Sequence, residues 1–155
     1  MAPPNQLIEH ITEIDAPIQI VWEAIIDLKN WNQWNKWFTL EAVPGNEKPV
    51  TSGQKGKVHA CFEGDDKKWN EYDCQFGEVN HDDHVLVWFG NIGPNGCLFS
   101  GYHTMMLQES GSGTRLIHTE KFGGILPSLG LGLPFDTLNR NYRLANEGLK
   151  AFVEK

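Results

Sequence analysis

The sequence has no apolar run approaching the roughly 20 residues that span a bilayer, so stable membrane insertion through a helix is not expected. Basic residues are scarce and scattered: 13 Lys and Arg stand against 20 Asp and Glu, for a net charge of -7. Phosphate backbones and anionic membranes require a clustered cationic face, so no nucleic acid partner is expected. Cysteine is also scarce. Cys61, Cys74 and Cys97 are odd in number, lack metal-like spacing, and read as buried reduced thiols. The opening Met-Ala-Pro-Pro-Asn-Gln lacks the basic and apolar regions of a signal peptide, so the expected location is cytoplasmic. The glycine-rich stretches have neither the Lys-Ser/Thr ending of a P-loop nor the strand-to-helix setting of a dinucleotide fingerprint. There is no Gly-x-Ser-x-Gly nucleophile elbow. His81-Asp-Asp-His84 falls at a hairpin turn without further ligands and reads as a solvated turn, not a metal site. The expectation is therefore no cofactor and no metal.

What the chain does contain is a globular composition, 40% hydrophobic and 21% charged, in a length that suits one domain with a sizeable core. Six tryptophans and eight phenylalanines supply bulky walls as well as core. Gln6 to Ile14 reads as a first strand. Asp15-Ala16-Pro17 signals a helix start, with a capping oxygen and a proline preset for the first turn, and the helix runs to about Leu28. Trp31, Trp34 and Trp37 recur every three residues, which suits a short helical turn with one aromatic face. A strand near Thr39 to Val43 and a polar loop from Pro44 to Lys55 follow. Five more strands are expected at about Gly56–Glu63, Trp69–Val79, His84–Asn91, Phe99–Glu109 and Gly113–Phe122, joined by turn-forming Gly, Asn and Asp. In Trp69–Val79, Glu71, Asp73 and Gln75 alternate with Tyr72, Cys74 and Phe76, giving one wet and one buried face.

The last third is the most informative. An apolar loop, Gly123 to Pro134, leads to a terminal helix on which Phe135, Leu138, Tyr142, Ala145, Leu149 and Phe152 form one stripe. A stripe that long must be buried, and the chain upstream offers almost only strands. One helix clasped by an antiparallel sheet often encloses a cavity, and a cavity suggests a ligand. The order of strand, two helices, six strands and helix defines an α+β class.

Several stretches carry a resemblance: Ile14-Asp-Ala-Pro17 with Val21-Trp22 and Asp27, the Trp34-Asn35 turn, Trp88, Gly101-x-His103, Gly113-Thr114, His118-x-Glu120-x-Phe122-Gly-Gly124, and Glu147-Gly-Leu-Lys150. The chain resembles the START-like superfamily, in the SRPBCC group of polyketide cyclase/dehydrase-type and lipid-transfer proteins. The resemblance implies a single START-like (SRPBCC) domain over residues 1–155 with the helix-grip fold. That fold is a curved seven-stranded antiparallel sheet wrapped around a long C-terminal helix, with two short helices after the first strand and a hydrophobic pocket between sheet and helix. Lys36 stands where the family often has proline after the Trp-Asn pair.

Strand alternation puts His118 and Glu120 on one face with Leu116 and Phe122, and Arg115 and Lys121 on the other. With His103 on the neighbouring strand, they are the candidate catalytic residues, an acid/base group for a bound carbonyl compound. The same three residues can instead satisfy one another under the helix without any chemistry. Alternation leaves open which face of the His103 strand meets the cavity. Candidate ligand-binding residues are Trp37, Trp69, Tyr72, Phe76, Trp88, Leu116, Phe122, Leu126, Leu138 and Tyr142. Asn139 and Asn146 flank the helix stripe, where solvated side chains are the commoner outcome. The four glycines of Gly123–Pro134 allow either a hinged lid over the cavity or a loop packed permanently on the sheet edge. Two functions fit: a cofactor-free cyclase, isomerase or dehydratase of secondary metabolism, or a non-catalytic carrier or sensor of a lipid, sterol or polyketide-like molecule. The expected partner is a hydrophobic small molecule, and the expected state is a monomer or homodimer.

Overall fold

The computed structural model describes residues 7–93, 96–129 and 134–155. Strand β1 (Leu7–Ile14) leads into helix α1 (Ile18–Ile26) and a 3-10 helix (Leu28–Gln33). Six strands follow: β2 (Phe38–Ala42), β3 (Lys55–Ala60), β4 (Asn70–Asn80), β5 (Val85–Ile92), β6 (Phe99–Ser110) and β7 (Gly113–Gly123). A short helix α2 (Ile125–Ser128) precedes the long α3 (Phe135–Val153). The loop expected across 123–134 is thus partly helical, and residues 130–133 of it lie outside the described residues.

The strands form one antiparallel sheet in the order β1-β7-β6-β5-β4-β3-β2. From β2 to β7 the chain is a run of neighbouring hairpins. Only the β1-to-β2 connection crosses the sheet, and α1 with the 3-10 helix carries it from one edge to the other. Helix α1 begins after Pro17, whose side chain offers no cap, and not after an Asp15 cap. The Asp15 backbone N–H donates instead to Glu154 Oε2 at 2.7 Å, fastening the start of the helix to the end of α3.

Alternation places Ile8 and Ile14 of β1, Leu86 and Trp88 of β5, Met105 and Leu107 of β6, and Leu116 of β7 on the inner face, all buried. Tyr142, Ala145 and Leu149 meet them from α3. Each large side chain so buried stabilises the fold by roughly 1.5–3 kcal/mol. Trp31 and Trp34 share the buried aromatic face expected of their spacing, with ring centroids 4.8 Å apart, while Trp37 is only partly covered. Trp31 Nε1 donates to the Ile25 carbonyl at 2.8 Å, so the indole is buried without an orphaned donor. Of the cysteines, Cys61 and Cys74 are buried, but Cys97 is exposed, because it sits on the β5–β6 connection and not within a strand. No helix among the described residues is long and apolar enough to cross a membrane.

Candidate functional site

A cavity of about 230 Å³ lies between the inner sheet face and α3. Trp37, Tyr72, Trp88, Phe122, Leu126, Leu138 and Tyr142 line it, together with His103 and Glu120. Four other candidate residues stand elsewhere. Trp69 lies in the β3–β4 connection, exposed, with its indole N–H bonded to Asp66 Oδ1 at 2.8 Å. Phe76 and Leu116 point inward, but they sit further along their strands in the closed core and are fully buried. His118 is fully buried too, one layer behind His103. Alternation identifies a strand's inner face, but not how far along it the core gives way to open space.

Phe38, Phe62, Phe99, Asn141, Gly90 and Gly101 also line the cavity and are not among the candidate ligand-binding residues read from the sequence. The two glycines carried a usable signal. Glycine inside a strand marks a close approach, and Gly90 and Gly101 are direct register partners on β5 and β6. Opposed in this way, they remove two side chains from the inner face where the cavity opens. Asn141 is buried at a position with no apolar pattern, and its Nδ2 donates to the Phe62 carbonyl at 3.0 Å.

β6 turns Gly101, His103, Met105 and Leu107 inward and Tyr102 outward, which resolves the face that alternation left open. The β6–β7 register then sets His103 opposite Glu120. A run of polar contacts leads from α3 across the sheet and back. Asn146, buried and not solvated, donates through Nδ2 to Thr12 Oγ1 at 3.0 Å and to the His10 carbonyl at 3.5 Å. A carbonyl only accepts, so these contacts assign the amide, and Asn146 Oδ1 faces His118 Nδ1 at 2.6 Å. His118 therefore carries its proton on Nδ1. Asn139 remains exposed and bonds His10 Nε2 through its side-chain oxygen at 2.7 Å.

Burial first, and the neighbouring His103 second, hold the His118 imidazole well below its usual 6.5, against the smaller opposing effect of the Asn146 bond. A neutral His118 with its proton on Nδ1 leaves Nε2 as an acceptor, and His103 Nε2 donates to it. His103 Nδ1 lies 3.4 Å from Glu120 Oε1, which also accepts the Tyr142 hydroxyl. Burial, then the charge of Glu120, keeps the Tyr142 phenol protonated well above its usual range.

The His103 ring stacks on Trp88 with centroids 3.9 Å apart and planes 19° apart, which fixes its orientation. Glu120 Oε2 has no protein partner among the described residues. It lies over Gly101, where an added Cβ would fall 2.7 Å from it. One carboxylate oxygen beside the cavity is thus left without a protein partner among the described residues. No group of three or more potential metal ligands occurs among the described residues.

No protein-family model matches the sequence, and no curated protein matches it. Solved structures do match. The protein TTHA0849 from Thermus thermophilus superposes with a TM-score of 0.69 at 18% identity, over 96% of this chain and 97% of that one. The Zhui aromatase/cyclase from Streptomyces sp. R1128 superposes with a TM-score of 0.68 at 14% identity, over 96% and 93%. Major latex-like protein 151 from Panax ginseng superposes with a TM-score of 0.69 at 10% identity, over 94% and 95%. Seven antiparallel strands around a long C-terminal helix, shared end to end with these structures, give the chain their helix-grip fold.

Proposed function

We propose that the protein binds a ring-containing apolar small molecule in this cavity and moves a proton on it, as a cofactor-free cyclase, isomerase or dehydratase. The supporting observation is the free Glu120 Oε2 beside the cavity, with the His103 imidazole 3.4 Å from the other oxygen of the same carboxylate. The cavity lies just under the usual range of roughly 300–1,000 Å³ for ligand pockets, so its occupant is compact. Trp88 and Tyr142 offer flat walls for rings. One structural relative is by name an aromatase/cyclase, which agrees with this reading by analogy of fold.

In a dehydration, Glu120 takes a proton from the carbon next to a carbonyl. The freed electron pair forms the new double bond, and the adjacent C–O pair departs with a hydroxyl. The Glu120/His103 pair returns one proton to that hydroxyl, which leaves as water, so the pair ends with the proton count it began with. The cavity walls contribute orientation, which lowers barriers by several kcal/mol in well-aligned cases. A carrier role is the second reading. It is favoured by the mutual contacts of the polar groups from Asn146 to Tyr142, which need no reaction to explain them.

Exchange of the ring α-protons of 2-tetralone in D2O, followed by NMR, separates the two. The enzyme reading expects catalysed exchange that falls on the order of a hundredfold in Glu120→Gln, while binding changes only a few-fold. Saturable binding without catalysed exchange favours the carrier. Native and then denaturing mass spectrometry of the purified protein identifies any molecule that travels with it.

A further inference from the structure

The cavity contains a charge asymmetry that bears on what enters it. Glu120 is the acidic side chain turned into it. Asp73 also borders the cavity, but its side chain is 93% exposed. No Lys or Arg lines the cavity among the described residues. Residues 1–6, 94–95 and 130–133 contain neither type, so none can come from them. Arg140, near the mouth, directs its guanidinium to the Phe62 carbonyl and Asn141 Oδ1 at 3.3 and 3.4 Å.

We infer that this cavity selects ring compounds bearing a hydrogen-bond donor on a neutral or cationic group, with a protonated amine preferred to a hydroxyl, and that it refuses carboxylates. The inference rests on the proposal that the cavity is the ligand site. Glu120 Oε2 can only accept when ionised, so it rewards a donor and repels a second carboxylate. The contact is screened by apolar walls, where like charges repel more strongly than in water. Trp88, Phe38 and Tyr142 present aromatic rings around the same end, and ring faces attract a cation further. Gly101 lets the donor reach the oxygen, because no side chain stands beside it on that strand. Fatty acids and other free acids are thereby the wrong class of cargo, however apolar their tails.

One ring system in three charge states tests this: 2-naphthylmethylamine, 2-naphthalenemethanol and 2-naphthoate, titrated by calorimetry at neutral pH. The amine should bind tightest and the carboxylate weakest, with a ratio on the order of tenfold or more. Glu120→Gln removes the charge and keeps the shape, so the ratio should collapse toward one. The wild-type ordering stands as a test by itself if that variant fails to fold. Equal affinity for all three, or tightest binding of the naphthoate, overturns the inference and leaves the cavity reading intact. A preference unchanged in a folded Glu120→Gln protein also overturns it, since Glu120 would not be the selector. Binding of none of the three overturns the cavity reading itself, and the inference with it.

Discussion

Glu120 Oε2 occupies the space that a side chain on Gly101 would take, 2.7 Å from the position of an added Cβ. Glu120 lies diagonal to Gly101 across β6 and β7, beside the glycine's register partner Phe122, and the absence of one side chain lets the other lie at the cavity wall. The blocking atom is the tip of a flexible side chain, so Gly101→Ala should fold with a stability change within about 1 kcal/mol. It should displace the carboxylate and weaken binding of 2-naphthalenemethanol several-fold. Calorimetry beside urea denaturation checks both halves, and unchanged affinity in the variant would remove Gly101 from the site.

A different outcome is expected where the obstacle is backbone. An added Cβ on Gly148 would lie 2.1 Å from the Trp34 carbonyl oxygen, so α3 could not keep its seat on the Trp31–Trp34 turn. Alanine gains about 1 kcal/mol of helix propensity over glycine. Forcing the helix off its contact costs about 1–3 kcal/mol. The clash should win, and Gly148→Ala should melt several degrees lower in a thermal scan. A Tm equal to or above wild type would show that the approach is looser than described.

The buried His118 makes stability depend on pH. In the unfolded chain the imidazole protonates as pH falls through about 6.5, whereas in the fold burial and His103 keep it neutral. The unfolded state then binds more protons, so this residue lowers stability below about pH 6.5, by up to about 1.4 kcal/mol per pH unit, and contributes no slope above it. His118→Gln lacks this titration. Urea denaturation near pH 7.5 and pH 5 should show a smaller loss for the variant than for wild type, and parallel losses would contradict the assignment.

Thiol chemistry should divide the cysteines. Burial, with a smaller effect of the Asp73 charge, pushes the Cys74 thiol up to about 12, so its thiolate is scarce at ordinary pH. Cys61 is buried with its thiol 3.6 Å from Asp65 Oδ1. Iodoacetamide at about pH 8 should therefore label Cys97 in the native protein, and all three only after unfolding. Peptide mapping by mass spectrometry reads the result, and native labelling of Cys74, which lines the cavity, would mean that the buried thiol becomes exposed there.

Local chemistry makes much of this architecture legible. Alternation along β4, β6 and β7 separates inner from outer side chains, and the three-and-four spacing of Phe135 to Phe152 marks the buried stripe of α3, because these periods are properties of strands and helices themselves. Those same periods place His118 and Glu120 on one face. They say nothing of depth, which is why Phe76 and Leu116 lie in the closed core while Tyr72 and Phe122 reach the cavity. Nor do they say which polar flank of a helix is covered. Asn146 is buried because β1, more than 130 residues away in the chain, supplies Thr12 and the His10 carbonyl as partners. The contact between His103 and Glu120 exists only because the register of β6 on β7 sets those residues opposite each other. Periodicity is local and therefore readable along the chain. Register, depth and partner choice are long-range, and arise only when the sheet curves and α3 closes over it.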